Sequence, residues 1–283
     1  MHATSLLALA LALSASCADR SGNDKATTKS TQVTNTSPTE EQAPEPKAVA
    51  TVEIQTIQFP AEDGLLVSAD LYQWHDEDAP FIVLFHQAGW SRGEYKEIAP
   101  KLGELGFNCM AIDQRAGKGV NEVDNETAKL AASKKMDTGF IDAIADMRAA
   151  LRLVKTRYPD AKRIAWGSSY SSALALVLAG EEPELMDAVL SFSPGEYFVR
   201  FGKSKTFVAE AASKINMPVF ITSAKKEESA WKAIFDAIPS TDKTSFVPST
   251  KGNHGSRALW AKQSDAEAYW KATQAFLLSI QGS

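Results

Sequence analysis

A cluster of serines is the first feature of this sequence that could perform chemistry. The segment AWGSSYSSA, residues 165–173, places four serine hydroxyl groups shortly after a glycine. A serine hydroxyl is a weak nucleophile at neutral pH, so it needs a base, a group that orients the base, and donors for the oxyanion. The pattern G-x-S-x-G supplies a sharp strand-to-helix turn for such a serine. Gly167 begins a version of this pattern, which places Ser169 at the nucleophile position and Ser171 at the second glycine position; the alternative is a serine-rich helix cap.

Short apolar runs predict the strands that must position these serines. The run FIVLF, residues 81–85, is continuous, as expected for a strand buried on both faces. Two β-prone runs precede it, and the Asp63-Gly64 pair between them is a hairpin signal. The two early runs cover residues 52–58 and 65–74, and similar runs recur at residues 108–112, 163–167, 188–192, 219–223 and, more weakly, 243–247.

Helical patterns alternate with these runs. Apolar residues follow one another at helical spacing from residue 140 to residue 158. The segment ALALVLA, residues 173–179, is apolar on all sides and predicts a helix that is buried all round. A last helix is predicted over residues 264–280, and residues 195–216 form either a surface loop with a packed helix or a small cap over a pocket. The alternation favours a mostly parallel sheet covered by helices.

The chain resembles the α/β-hydrolase superfamily, and within it the dienelactone-hydrolase-like and monoacylglycerol-lipase-like serine hydrolases. Three landmarks carry the resemblance: LFHQAGWSRGEY at residues 84–95, the serine turn at residues 165–173, and KGNHGSRAL at residues 251–259. The resemblance covers about residues 52–280. It implies an α/β protein with the α/β-hydrolase fold: a mostly parallel eight-stranded sheet, helices on both faces and at most a small cap.

The resemblance also implies where the oxyanion donors lie. In the family, one donor is a backbone N–H of the loop after the third strand, and the position that matches it is Ala88. The second donor is the N–H of the residue after the nucleophile, which is Tyr170. Gln87 stands where the family commonly has glycine.

The family's chain order of nucleophile, acid and base directs the search for the acid to the segment after Ser169. Glu227 falls at the acid position after the run at residues 219–223, and the family admits glutamate there. Glu228 and Glu196 are alternatives, and a solvated charged surface is the non-catalytic interpretation of residues 227 and 228. Asp113 precedes the serine, so we interpret it as structural.

The base is expected to be His254. Its segment, KGNHGSRAL, matches the family's histidine loop, and a histidine between Asn and Gly is a poor core residue. The other histidines fit worse: His2 is near the N-terminus, His75 is in a polar turn, and His86 is in the oxyanion loop, where it would tie backbone groups together. The alternative for residue 254 is a surface turn histidine.

Composition and charge exclude several classes of function. The chain has 283 residues and a formal net charge of −5, so it predicts no basic surface for nucleic acid. Its four histidines are scattered without ligand spacing, and we expect neither a metal nor another cofactor. There are two cysteines, Cys17 and Cys109, so a disulfide framework is not expected, and Cys109 is interpreted as a buried small apolar residue.

The N-terminus predicts a targeting segment. The run LLALALAL, residues 6–13, is too short to span a bilayer and is followed by small residues and Cys17. This resembles a bacterial lipoprotein signal over residues 1–17, which implies a lipid on Cys17 and attachment to a membrane of the bacterial cell envelope. The alternative is a secretory signal cleaved near Ala18. Residues 18–50 are rich in Ser, Thr, Glu and Pro and predict a disordered tether before a hydrolase domain at residues 51–283.

These patterns predict an enzyme, a serine hydrolase that cleaves a carboxylic ester through an acyl-enzyme intermediate. Ser169 would be the nucleophile, His254 the base and Glu227 the acid, and the substrate would be a small ester or acyl compound. A peptidase or thioesterase would use the same residues. A non-catalytic binding protein on the same scaffold is the alternative. The departures from the family pattern at Gln87, Ser171 and Ala224, which stands where the acid segment has glycine, motivate it. A complete and correctly ordered set of Ser, Glu and His argues against it.

Overall fold

A computed structural model describes residues 54–282, which form an eight-stranded sheet with helices on both faces and a separate two-stranded ribbon. The strands are β1 (Gln55–Pro60), β2 (Leu66–Tyr72), β3 (Phe81–Phe85), β4 (Asn108–Ile112), β5 (Gly119–Val120), β6 (Val123–Asp124), β7 (Arg163–Ser168), β8 (Ala188–Phe192), β9 (Val219–Thr222) and β10 (Lys243–Phe246). The sheet has the strand order β1-β2-β4-β3-β7-β8-β9-β10, and β5 and β6 form the ribbon. An eight-stranded sheet therefore agrees with the prediction.

The direction of the strands brings the functional segments to one edge of the sheet. The pairs β1/β2 and β2/β4 are antiparallel, and every pair from β4 to β10 is parallel. Parallel strands end at the same edge, where loops from distant parts of the chain meet. The segments that follow β3, β7, β8, β9 and β10 consequently lie close together.

Helices cover both faces of this sheet. They are α1 (Ile98–Glu104), α2 (Glu126–Ser133), α3 (Ile144–Arg157), α4 (Tyr170–Glu181), α5 (Phe207–Ala212), α6 (Glu228–Ala237) and α7 (Ala266–Gln281). Alternate side chains of β3 enter two different cores, as strand geometry requires. Phe81, Val83 and Phe85 pack in a core with α3 to α6, whereas Ile82 and Leu84 pack in a core with α1 and α7.

Helix α4 is buried on every side, as its continuous apolar sequence predicts. Every residue from Tyr170 to Gly180 is buried. Gly180 permits this packing, because a Cβ atom there would lie 2.0 Å from the backbone oxygen of Ala211 in α5. The helix that follows the serine turn therefore forms the centre of one core and holds the turn in place.

Several predicted boundaries differ from the observed ones. The first strand begins at Gln55 rather than at residue 52, and residues 52 and 53 lie outside the part of the chain that the structure describes. The predicted helix from residue 140 begins at Ile144, because the chain before it forms turns. An apolar pattern shows which residues are buried, whereas backbone hydrogen bonds decide where a helix or strand begins. The ends of the pattern and of the element therefore need not coincide.

The irregular segment at residues 195–216 contains one turn of 3₁₀ helix and α5. Val208, Ala211 and Ala212 of α5 are buried against the core that contains α4. This agrees with a surface loop that carries a packed helix.

The predictions for the N-terminus fall on residues that the structure does not describe. The signal at residues 1–17, the lipid on Cys17 and the tether at residues 18–50 all lie outside residues 54–282. Within that described range, no helix is both long and apolar enough to cross a membrane.

Candidate active site

Ser169 lies at the sharp turn between β7 and α4. Its backbone has φ 60° and ψ −123°, a conformation that a residue with a side chain rarely adopts. Gly167 permits the turn, because a Cβ atom at that position would lie 2.4 Å from the Cα atom of Ser172. The turn therefore depends on a glycine at residue 167 and holds Ser169 in a strained conformation.

The serine at position 171 replaces the family's second glycine without disrupting the turn. The Ser171 hydroxyl accepts a hydrogen bond from the N–H of Ser168 at 2.9 Å and donates one to the carbonyl of Phe85 at 2.8 Å. The side chain is thus used as a link between the turn and the end of β3.

Ser169, His254 and Glu227 form one hydrogen-bonded chain. Nε2 of His254 lies 2.8 Å from Oγ of Ser169, and Nδ1 of His254 lies 3.0 Å from Oε1 of Glu227. His254 follows β10, and Glu227 is in the turn after β9. Burial favours the neutral acid, but the hydrogen bond and charge of His254 outweigh it and lower the pKa of the Glu227 carboxyl. Glu227 can therefore stay negative beside the imidazole.

The other candidate carboxylates make different contacts. Glu228 is exposed in the first turn of α6. Glu196 accepts hydrogen bonds from the N–H groups of Val208 and Ala209, at 2.8 Å and 2.9 Å, at the start of α5. Of the three glutamates considered from the sequence, only Glu227 contacts His254.

The neighbouring serines are also engaged elsewhere. The Ser168 hydroxyl donates a hydrogen bond to Glu94 at 2.7 Å and accepts one from the N–H of Ser256 at 2.9 Å. The Ser172 hydroxyl donates to the carbonyl of Ser169 at 2.6 Å. Ser169 is thus the serine of this cluster whose hydroxyl contacts a histidine.

The two backbone N–H groups expected to bind the oxyanion belong to Ala88 and Tyr170. Ala88 lies in the loop after β3, and Tyr170 is the first residue of α4, where helix geometry leaves N–H groups without an internal partner. Within residues 54–282, neither N–H donates a hydrogen bond to another protein group. Both groups are thus free to bind an anionic oxygen, and their role as oxyanion donors stays a prediction.

His86 holds the loop that carries Ala88. Its Nδ1 donates to the carbonyl of Gln87 at 2.8 Å, and its Nε2 accepts the N–H of Gln114 at 2.9 Å. Burial lowers the pKa of His86 to about 4, although the hydrogen bonds with Gln87 and Gln114 oppose this change. His86 is therefore a neutral imidazole that links backbone groups.

Asp113 has a structural environment, in line with its interpretation from chain order. Its carboxylate accepts hydrogen bonds from the Arg92 backbone at 2.8 Å, the Arg92 guanidinium at 2.6 Å and the N–H of Glu126 at 2.8 Å. Burial raises the pKa of Asp113 to about 6, and Arg92 opposes this change. The contacts tie β4, the segment after β3 and the start of α2 together.

Two residues beside the site, Tyr197 and Ser193, were not predicted to contact the nucleophile or the histidine loop. The Tyr197 hydroxyl donates to the carbonyl of Ser193 at 2.7 Å. Burial and the charge of Glu227 raise the pKa of Tyr197 to about 12, while a hydrogen bond with Ser169 lowers it, so the phenol stays neutral beside the nucleophile. Ser193 has φ 61° and accepts the N–H of Gly255 at 2.9 Å. The only sequence signal is that both residues closely follow a strand that ends at the functional edge.

The side chains that could bind a metal ion in the described part of the chain are those of His, Cys, Asp and Glu. No group of three or more His, Cys, Asp or Glu side chains within residues 54–282 is arranged to hold a metal ion. Cys109 is a free, buried cysteine, and burial raises the pKa of its thiol. The chemistry available at this site is that of a serine, a histidine, a carboxylate and backbone donors.

This chain is similar to a known protein family and to several solved structures. Residues 76–198 match the profile of a family described as serine aminopeptidase, S33. No curated protein sequence matches the chain.

Similar solved structures include an esterase from Pyrococcus furiosus, with a TM-score of 0.63, 17% identity and coverage of 84% of this chain and 96% of that one. A dienelactone hydrolase from Anabaena variabilis has a TM-score of 0.62, 13% identity and coverage of 80% and 97%. A thermostable carboxyl esterase from Bacillus coagulans has a TM-score of 0.60, 13% identity and coverage of 81% and 99%. The chain has the α/β-hydrolase fold, which confirms the predicted fold class.

Proposed function

We propose that this protein is a serine hydrolase that cleaves small carboxylic esters without a cofactor. The observation that carries the proposal is the chain of hydrogen bonds from Ser169 through His254 to Glu227, at 2.8 Å and 3.0 Å. The positive φ of Ser169 supports it, since strained residues of this kind cluster at active sites. The similarity to esterases and to a serine aminopeptidase profile supports a hydrolase of the α/β-hydrolase superfamily.

In the first half of the reaction, the acyl group moves to the enzyme. Oγ of Ser169 attacks the ester carbonyl carbon while Nε2 of His254 takes the hydroxyl proton. Glu227 accepts the hydrogen bond from Nδ1–H, so its charge stabilises the imidazolium that forms. His254 then delivers the proton to the leaving alkoxide as the C–O bond breaks, and the acyl group stays on Ser169.

In the second half, water releases the acyl group. A water molecule gives a proton to His254 and adds to the acyl carbonyl carbon. The tetrahedral intermediate collapses, Ser169 leaves with the proton from His254, and a carboxylic acid is released. In both tetrahedral intermediates the N–H groups of Ala88 and Tyr170 bind the oxyanion, which removes the need for a metal ion.

A series of p-nitrophenyl esters with acyl chains of increasing length tests this proposal. The wild type should release p-nitrophenol from at least one ester, and Ser169→Ala should not. The preferred chain length then reports the depth of the acyl pocket. Equal background rates for the two proteins across the series would support the non-catalytic binding protein instead.

A peptidase is the second candidate, because the matching profile is described as a serine aminopeptidase. The same residues can cleave an amide, but a poorer leaving group must be protonated. Aminoacyl p-nitroanilides distinguish the two activities. Esters hydrolysed in clear preference to these anilides support the esterase, and efficient release of p-nitroaniline supports the peptidase.

The location of the enzyme is a separate proposal. The apolar run before Cys17 supports a lipid on that cysteine and attachment to a membrane of the bacterial cell envelope. A secreted or periplasmic protein is the alternative if the segment is an ordinary signal.

A further inference from the structure

One buried carboxylate, that of Glu94, lies behind the candidate active site and is not used by the proposed mechanism. Its side chain is fully buried. Its Oε1 accepts a hydrogen bond from the Ser168 hydroxyl at 2.7 Å, and its Oε2 accepts the N–H of Gln87 at 2.8 Å. A buried charge is costly unless it is hydrogen-bonded, so these contacts require an explanation.

Each partner of Glu94 adjoins a group that the mechanism uses. Ser168 precedes the nucleophile, and Gln87 precedes Ala88 in the oxyanion loop. The Ser168 hydroxyl also accepts the N–H of Ser256 at 2.9 Å, and Ser256 follows His254 by two residues. A single carboxylate therefore connects the serine turn, the oxyanion loop and the histidine loop.

The donors around Glu94 match an ionised carboxylate. Each oxygen accepts one hydrogen bond, and the Ser168 hydroxyl donates to Glu94 while its oxygen accepts the N–H of Ser256. A proton on Oε2 would point at the N–H of Gln87, which cannot accept a hydrogen bond. A proton on Oε1 would require the Ser168 hydroxyl to rotate and become the acceptor, so that its own hydrogen loses Glu94 as a partner. Protonation therefore either breaks the link to Gln87 or reverses the link to Ser168.

The titratable and charged groups around Glu94 come from three elements. Burial raises the pKa of Glu94 to about 7, while the hydrogen bonds with Ser168 and Gln87 and the charge of Arg257 lower it. The phenols of Tyr95 and Tyr170 interact with the same carboxylate, and burial keeps both neutral by raising their pKa. Arg257 is the cation that favours the ionised form.

We propose that Glu94 is a positioning residue whose ionised carboxylate holds the oxyanion loop against the serine turn. The inference rests on the proposed hydrolase function. When Glu94 is ionised, it fixes the N–H of Gln87 and thereby the direction of the next peptide N–H, that of Ala88. Oxyanion donors act only when they are directed at the oxygen of the intermediate, so a loosened loop slows the chemical step more than it weakens substrate binding.

The variant Glu94→Gln keeps the size of the side chain and removes its charge. We expect kcat for a p-nitrophenyl ester to fall by about 10- to 100-fold, the scale of a hydrogen bond to a charged group, while KM changes by no more than about twofold. When kcat is measured against pH, the decrease on the acid side should involve one ionisable group fewer in the variant than in the wild type. The control Glu104→Gln alters an exposed carboxylate on α1 and should match the wild type in both measurements. An unchanged kcat in folded Glu94→Gln, or an unchanged acid limb, overturns the inference.

A second measurement does not depend on activity. In isotope-labelled full-length protein, the amide signals of Gln87 and Ala88 should shift as Glu94 ionises near neutral pH, and this transition should be absent in Glu94→Gln. Amide signals that stay constant through this range in the wild type overturn the positioning role even if the variant fails to fold. If the wild type and Ser169→Ala are equally inactive, the proposed function fails, and the amide titration still decides whether Glu94 holds the loop.

Discussion

The conformation of Ser169 is a local feature with a direct chemical consequence. A positive φ at a residue with a side chain costs free energy, and the buried helix after it supplies the packing that maintains this conformation. The strained turn presents Oγ to His254. The Ser168 hydroxyl instead donates to Glu94, and the Ser171 and Ser172 hydroxyls donate to backbone carbonyls. Ser169 makes no capping hydrogen bond with α4, so its strained conformation favours a role in the reaction over a role as a helix cap.

Ser169 is predicted to be the single site that a fluorophosphonate probe labels. Ser169→Ala should lose labelling and reduce kcat by about 10⁶-fold, because the nucleophile is removed while the base remains. Digestion of the labelled wild type followed by mass spectrometry checks the position of the adduct. The matched control is Ser229→Ala, an exposed serine of α6. An adduct on Ser168 would falsify the assignment.

Glu227 is predicted to orient His254. Glu227→Gln should reduce kcat by about 10⁴-fold, because the amide cannot stabilise the imidazolium and favours a different imidazole tautomer. Steady-state hydrolysis of the best p-nitrophenyl ester measures the loss. Glu228→Gln is the control, since its exposed carboxylate lies one residue further on and does not contact the imidazole. Comparable losses in both variants would show that the acid has been assigned incorrectly.

At the scale of elements, the departures from the family pattern are explained by contacts between loops. The Ser171 hydroxyl fills the space of the second glycine and binds the end of β3. The backbone of Gln87 is held on both sides, by Glu94 at its N–H and by His86 at its carbonyl. Neither departure removes the space or the donors that the proposed reaction needs.

The oxyanion loop is also predicted to make the fold sensitive to acid. The pKa of His86 is lowered to about 4 by burial, so the imidazole is neutral in the folded protein while the unfolded chain takes up a proton near pH 6.5. Its contribution to the free energy of unfolding is complete above pH 6.5 and is lost as the pH falls towards 4, by up to about 3 kcal/mol.

Urea unfolding at pH 7 and at pH 4 measures this loss, and His86→Asn provides the comparison. The variant should be less stable than the wild type at pH 7, because it loses the links to Gln87 and Gln114. Its stability should then fall less between the two pH values. The same pH dependence in both proteins would mean that other groups cause the acid sensitivity.

At the scale of the whole molecule, a membrane anchor on Cys17 remains a prediction about residues outside the described range. Cells supplied with an alkyne-tagged fatty acid should label the wild type and should not label Cys17→Ser. Fractionation should place the wild type with the membranes and the variant in the soluble fraction. Equal labelling, or a wild type found wholly in the soluble fraction, contradicts the lipoprotein interpretation and leaves the esterase proposal unaffected.

The strands and the central helix could be predicted from the sequence because buried elements consist of short, continuous runs of apolar residues. A continuous apolar run such as FIVLF is unfavourable in water and is therefore buried on both faces of the sheet. Helix α4 is apolar on all sides because it is likewise surrounded by protein. The register of Ser169 could be predicted in the same way, since only a glycine fits at residue 167 of so sharp a turn. The ends of helices and strands were less accurate, because they depend on individual hydrogen bonds.

The sequence by itself predicted the fold class, the turn at Ser169 and a histidine at residue 254, because buried runs, the sharp turn and the histidine loop each have a short local pattern. Only the tertiary structure decided which of three glutamates contacts His254, since Glu227 and Glu228 differ in sequence by one position but point in different directions. It also revealed Glu94, whose bond to Ser168 spans 74 residues and has no local pattern. Parallel strands bring such segments to one edge, and a carboxylate buried there is recognisable only by the groups that surround it.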